Sequence, residues 1–168
     1  LPSVIQNSVA ENIEIIVADN GSTDNSIIFL SENFPEIRII DLIENFGFAE
    51  GYNRALKQVE ADYFVLINSD VKVSPNWIEP CVKRLREDEK IAAVQPKILS
   101  FNQPELFEYA GAAGGFIDKF GYPFCRGRLL NKLEHDNGQY NDASPIFWAS
   151  GACIFIKAKT FKKANGFD

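Results

Sequence analysis

Short apolar runs alternate with amphipathic segments along the first hundred residues of this chain, and no other feature narrows its possible folds as far. Residues 13–18, 37–41, 62–67 and 91–98 read as strands, being short, rich in β-branched and aromatic residues, and bounded by polar clusters. Between the first two, a sharp loop Asp19-Asn20-Gly21-Ser22 leads into a helix with Ser22 or Thr23 as N-cap and Ile27, Ile28, Leu30 and Phe34 on one face, stopped by Pro35. Further helices are expected over 49–59, after the loop Asn45-Phe46-Gly47, and from Ser74-Pro75 to about residue 88. Strands that alternate with helices of this length imply parallel pairing through right-handed crossovers. The expectation is an α/β fold with a mostly parallel sheet flanked by helices.

From 100 to 145 the periodicity fails. Gly111, Gly114, Gly115, Gly121, Gly127 and Gly138 interrupt this stretch and aromatic residues are scattered through it. So long a connection is functional or disordered, and its aromatic content argues for an ordered, substrate-facing excursion. An apolar strand at 152–156 and a short helix from Ala158 follow. The division expected is a single domain, with residues 1–98 as a nucleotide-binding half and 99–168 as an acceptor-side half.

A net charge of −6 disfavours general binding to nucleic acid or anionic lipid, while leaving room for a local basic patch. Cys81, Cys125 and Cys153 lack metal or disulfide spacing and read as buried thiols of a reducing cytosol. His135 lies in a polar loop, and no apolar stretch approaches the length needed to cross a bilayer. The chain contains no methionine, so a piece of a longer or processed protein is expected.

Chemistry concentrates first at Asn68-Ser69-Asp70, which follows the apolar run Tyr63-Phe64-Val65-Leu66-Ile67. Ligands of open α/β sheets bind at the carboxyl ends of strands, and a carboxylate there suits Mg²⁺ or Mn²⁺ held jointly with substrate phosphates. Read alone, the tripeptide is equally a turn, since all three residues favour turns.

Four segments resemble the family 2 inverting glycosyltransferases of the GT-A fold, a Rossmann-like nucleotide-diphospho-sugar transferase architecture: VADNGSTDNS at 17–26, ENFGFAEGYNRAL at 44–56, NSD at 68–70 and FWASGACIFIKAKTFKKANGFD at 147–168. In finer detail the pattern looks like the rhamnosyltransferase-like branch that decorates bacterial surface polysaccharides. The resemblance implies a nucleotide-sugar donor contacted by Asp19, Asn20, Gly21, Gly47, Asn53, Arg54 and Asn68, and a divalent metal, Mn²⁺ or Mg²⁺, on Asp70. Asn68 and Ser69 depart from a fully acidic metal motif, which implies weak or optional metal dependence. Trp148, Ser150 and Gly151 match the acceptor side, with Trp148 open to a core role as well. The acceptor implied is a saccharide or a lipid-linked glycan, with no nucleic acid partner. A cytoplasmic enzyme is implied, with peripheral association at the inner face of a membrane. Lys157, Lys159, Lys162 and Lys163 read as a solvated helix face, with contact to a lipid-linked phosphate as the alternative.

Two family features find no match. Members begin with a strand and a loop against the nucleobase, and the expectation is that strands 13–18 and 62–67 keep unpaired edges. Their catalytic base lies in an acidic motif beyond the GFD sequence, so the base is left unassigned and expected past Asp168. Two other readings stay open: a nucleotidyltransferase, and a noncatalytic module that binds nucleotide-sugars or glycans.

Overall fold

Every segment expected to be a strand or helix forms one, with shifted ends and with the strand expected at 91–98 reduced to two residues, in a computed structural model that describes residues 1–168. In chain order these are α1 (Pro2–Asn7), β1 (Ile16–Asp19), α2 (Ser26–Asn33), β2 (Arg38–Asp41), α3 (Gly47–Leu56), β3 (Tyr63–Ile67), α4 (Ile78–Glu87) and β4 (Ala93–Val94). The stretch without periodicity carries β5 (Gly115–Ile117), β6 (Pro123–Cys125), β7 (Arg128–Leu129) and β8 (Lys132–Leu133), and β9 (Cys153–Lys157) and α5 (Ala158–Lys163) close the chain. The chain divides into two units, residues 8–62 with 158–168, and residues 1–7 with 63–157.

In the first unit β1 and β2 pair in parallel, with Ile16 opposite Arg38 and Asp19 opposite Asp41, so both strands end together in a carboxylate. Helix α2 begins at Ser26 rather than at Ser22 or Thr23. The Asp24 carboxylate accepts from the Ser26 N–H at 2.9 Å, and its bonds to Ser26 hold it below the ordinary aspartate range. The intervening residues stay in the loop because Ser22 is engaged by Asp19 instead. Helix α3 buries Gly51, Ala55 and Leu56.

The second unit corrects the mostly parallel expectation. Its main sheet has the order β3-β9-β4, and β9 runs antiparallel to both neighbours, with Ile67 opposite Cys153 and Tyr63 opposite Lys157. Parallel pairing is confined to β1 with β2. The alternation of strands and helices made parallel neighbours the natural inference, but the strand inserted next to β3 comes from the far end of the chain. The edges of β1 and β3 not facing β2 or β9 carry no ladder partner, as expected.

Helix α4 starts later than Pro75, because Asn76 takes a left-handed φ of 59° that a helical turn does not admit. Its buried residues Cys81, Val82 and Leu85 pack with Cys153 and Phe155 of β9, and Trp77 meets the Phe155 ring edge-on at 5.4 Å. The excursion between β4 and β9 is ordered, as its aromatic content implied: β5 to β8 form an antiparallel meander. The inner side of the meander packs Cys125 against Phe107, Ala112 and Ala113, while Phe116 and Phe124 stack at 5.6 Å.

All three cysteines are buried free thiols. Burial pushes the Cys81 thiol up to about 11 and the Cys153 thiol up to about 12, so both stay protonated near neutrality. The folded chain is therefore expected to resist thiol-alkylating reagents at mildly alkaline pH, with labelling of Cys81, Cys125 and Cys153 appearing only in denaturant; mass spectrometry reads both states. Leu85 is fully buried, and Leu85→Ala is expected to cost about 2–5 kcal/mol in urea unfolding.

Candidate functional site

Asp19 ends β1 at the carboxyl edge of the parallel pair and is buried, with 7% of its surface exposed. Its carboxylate accepts the Ser22 N–H at 2.8 Å and the Ser22 hydroxyl at 2.6 Å, which closes the loop over Asn20 and Gly21. One acceptor position on each oxygen remains for a further donor.

Asn20 locks this loop onto the next one. Its Oδ1 accepts the Phe46 N–H at 3.0 Å, while its Nδ2 donates to the Gly47 carbonyl at 2.9 Å and to Asn45 Oδ1 at 3.3 Å. Asn45 Oδ1 also accepts the Gly47 N–H at 2.8 Å. Gly21, at φ 78°, lies against the backbone of the same segment: an added Cβ would stand 2.5 Å from Asn45 N and from the Glu44 carbonyl carbon. A Cβ on Gly51 would meet Asn20 Nδ2 at 2.8 Å. Gly47, at φ 74°, has open space beside it, so its backbone conformation alone calls for glycine there. Asp19, Asn20, Gly21 and Gly47 thus form one connected group, and Asn45 and Gly51 belong to it too. The sequence signal for Asn45 was its place two residues before a loop glycine, where Asn bonds its own backbone.

Asn53 and Arg54 point elsewhere. The Asn53 carboxamide pairs with both backbone groups of Phe167, donating to its carbonyl at 2.9 Å and accepting its N–H at 2.9 Å. Gly166, at φ 87°, makes room, since a Cβ there would reach within 2.2 Å of Asn53 Oδ1. Phe167 in turn joins an aromatic group with Phe48, Tyr52 and Phe161. Arg54 donates to Glu50 at 2.7 Å and lies 3.6 Å over the Phe46 ring, on an open groove that Asp41 and Lys57 also line. The bond to Arg54 keeps the Glu50 carboxyl below its ordinary range.

Asn68, Ser69 and Asp70 form an exposed turn after β3. Antiparallel pairing brings the start of β9 beside it: the Asn68 N–H donates to the Ala152 carbonyl at 3.0 Å. The turn singled out for metal, 68–70, therefore lies beside Ala152 of the segment 147–168 matched to the acceptor side. Asp70 engages no hydrogen bond or ion pair, which leaves its carboxylate free for a cation. No three His, Cys, Asp or Glu residues gather as a ready-made metal cage. The donor set therefore fits a magnesium-like ion that takes one carboxylate and completes its shell with phosphate and water.

Ser150 is buried; its N–H donates to Gln95 Oε1 at 2.6 Å and its hydroxyl accepts the Ala152 N–H at 3.2 Å. Gln95 Nε2 reaches the Gly111 and Ala112 carbonyls at 3.1 and 3.3 Å, so one side chain ties the 150–152 segment to the excursion. Nothing in the sequence set Gln95 apart. Gly151, between Ser150 and Ala152, is half-buried. Trp148 lies with its indole flat on Gly115, where a Cβ would fall 1.9 Å from the ring, and its Nε1 donates to the Phe116 carbonyl at 2.9 Å. Packing of this kind gives the half-buried tryptophan a structural role. In the lysine cluster, Lys162 pairs with Glu60 at 3.0 Å, and Lys157 donates to the Asp88 carbonyl at 2.8 Å.

Gly47→Ala is expected to cost about 1–2 kcal/mol through its left-handed backbone alone. Gly21→Ala, which adds collision with the 44–45 backbone, costs distinctly more on the same urea scale. Asn53→Ala strips both bonds from Phe167 and is expected to lower stability by about 1–3 kcal/mol.

The sequence profile described as Glycosyl transferase family 2 matches residues 1–163. Among similar proteins, an N-acetylglucosaminyl-diphospho-decaprenol L-rhamnosyltransferase of Mycobacterium tuberculosis is 22% identical over 93% of this chain and 55% of its own length. An uncharacterized glycosyltransferase of Haemophilus influenzae is 36% identical over 55% of this chain and 29% of its own. A poly-beta-1,6-N-acetyl-D-glucosamine synthase of Staphylococcus aureus is 29% identical over 62% of this chain and 27% of its own. The chain thus spans about half, or less, of the length of these relatives. With the profile matched across nearly all of its residues, the chain belongs to glycosyl transferase family 2.

Proposed function

We propose that the protein moves a sugar from a nucleotide-diphospho-sugar to a saccharide or lipid-linked acceptor, with inversion at the anomeric carbon, in the synthesis of a cell-surface polysaccharide. The observation that carries this reading is the Asn68–Ala152 hydrogen bond, which holds the carboxylate-bearing turn against the segment matched to the acceptor side. Such an arrangement suits a reaction in which a diphosphate leaves as an acceptor hydroxyl attacks. The relatives named as a diphospho-decaprenol L-rhamnosyltransferase and a poly-beta-1,6-N-acetyl-D-glucosamine synthase support it.

In this reading Asp19 and Asn20, on the loops rigidified by Asn45, contact the nucleoside, and Asn68 borders the diphosphate. Asp70 holds a divalent ion, Mn²⁺ or Mg²⁺, which neutralises charge on the leaving diphosphate when bound. Gly151 gives the acceptor close access to the backbone beside Ser150. The base that removes the acceptor proton is assigned to no residue of this chain. The enzyme works at the cytoplasmic face of a membrane, where lipid-linked acceptors are presented.

Calorimetric titration with UDP, dTDP and GDP, each with and without Mn²⁺, tests the donor site. One nucleotide is expected to bind more tightly with the metal, and Asp70→Ala to remove that gain, about ten-fold or more, while leaving the unfolding midpoint unchanged because Asp70 is exposed and unpaired. Absence of binding by all three nucleotides, with the chain folded, would sink the reading.

A further inference from the structure

We infer that one end of the β5–β8 meander is a docking surface for an anionic lipid bilayer. The topology makes the surface. β5 and β6 pair antiparallel through the loop 118–122, and β7 and β8 through the turn 130–131. Because chain direction reverses at each strand, those two loops emerge at the same end, and the 126–127 turn at the other. That shared end carries Phe120, Tyr122, Leu129 and Leu130, which are 73%, 71%, 68% and 84% exposed. Single exposed apolar residues are ordinary; four on two adjacent hairpin tips are a patch.

The tips are built to present these side chains. Asp118 accepts the Phe120 and Tyr122 N–H groups at 2.8 and 2.9 Å, and Gly121 at φ 88° completes a loop closed by Asp118 N–H to the Tyr122 carbonyl at 3.0 Å. The aromatic pair therefore projects from a fixed turn. Leu130 holds a φ of 54°, a conformation two-residue hairpins normally give to Asn or Gly. A leucine kept in this strained position, with its side chain largely in solvent, has no evident purpose within the fold.

Charge identifies the occupant. At that end, residues 118–122 and 129–132 contain Lys119 and Lys132 against the single acid Asp118, in a chain whose net charge is −6. Lys119 lies 4.9 Å over the Phe120 ring, and Arg128 4.3 Å over that of Tyr109. Aromatic and leucine side chains flanked by lysines suit the boundary between acyl chains and anionic headgroups. A glycan would favour the aromatic faces but gains nothing from Leu129 and Leu130, which offer neither a ring nor a hydrogen bond. The inference rests on the acceptor reading above for its purpose, since lipid-linked substrates lie in a bilayer, but its test reads lipid binding alone.

The experiment is co-sedimentation of the full chain with vesicles of phosphatidylcholine, with and without phosphatidylglycerol. Binding is expected on the mixed vesicles, weaker on phosphatidylcholine alone, and reduced by salt. Phe120→Ser with Leu130→Ser is expected to lower the partition at least about ten-fold, as loss of buried apolar area dictates. Leu130→Gly supplies the folding control: it relieves the backbone, so the unfolding midpoint holds or rises while binding falls. Failure of the folded chain to sediment with anionic vesicles, or sedimentation indifferent to these substitutions, overturns the inference. So does lipid-free self-association that the same substitutions abolish, because a second copy then covers the patch. The nucleotide titration on the same sample separates the two readings. Nucleotide binding without vesicle binding defeats only the docking surface, and vesicle binding without nucleotide binding defeats only the glycosyltransferase reading.

Discussion

A side-chain carboxamide carries one acceptor and a donor pair in nearly the geometry of a peptide group, and the loops of this chain are held in place by that equivalence. The named strands are at most five residues long, so much of the backbone lies outside any ladder and must find partners by other means. Asn20 clamps Phe46 and Gly47, Asn53 clamps Phe167, and Gln95 clamps Ser150 together with Gly111 and Ala112. Asn7 does the same at Val73, donating to its carbonyl at 3.2 Å. Each clamp joins segments distant in sequence. A site composed of loops can keep a defined shape in this way without a long sheet beneath every loop.

Glycine is the other half of the device. A clamp works only if the backbone it grips can approach, and Gly51 and Gly166 stand where a Cβ would strike the clamping amide itself. Gly21 admits the backbone of residues 44 and 45 in the same manner. The amide and the glycine therefore form a pair, and neither is explained alone. This changes the meaning of the motif residues. Asn53 was expected to face a nucleotide, and the structure spends its amide on Phe167; Trp148 was divided between sugar and core, and its indole covers Gly115.

The elements were legible from local pattern because each depends on residues close in sequence. Helix α3 could be read from the spacing of Gly51, Ala55 and Leu56, and β3 from five consecutive apolar residues. Boundaries were less legible, since Asn76 and the Asp19–Ser22 bonds displace two helix starts by a few residues. The meander was not legible at all: its strands have two or three residues each, too few for a period to show.

By itself the sequence determined which segments outside the meander are strands, which residues bear the candidate chemistry, and the family the chain belongs to, because motif residues and their order are properties of the chain. Only the tertiary structure decided the direction of β9. A strand has no preferred neighbour until side chains pack, and Phe155 and Cys153 share one buried cluster with Cys81, Val82 and Leu85 of α4. That packing runs β9 antiparallel to β3, and so brings Ala152 beside Asn68. The same holds for the amide clamps, whose partners lie up to 114 residues away. Nothing local marks an asparagine that will bond a backbone so distant, since the partner exists only after the chain has closed on itself.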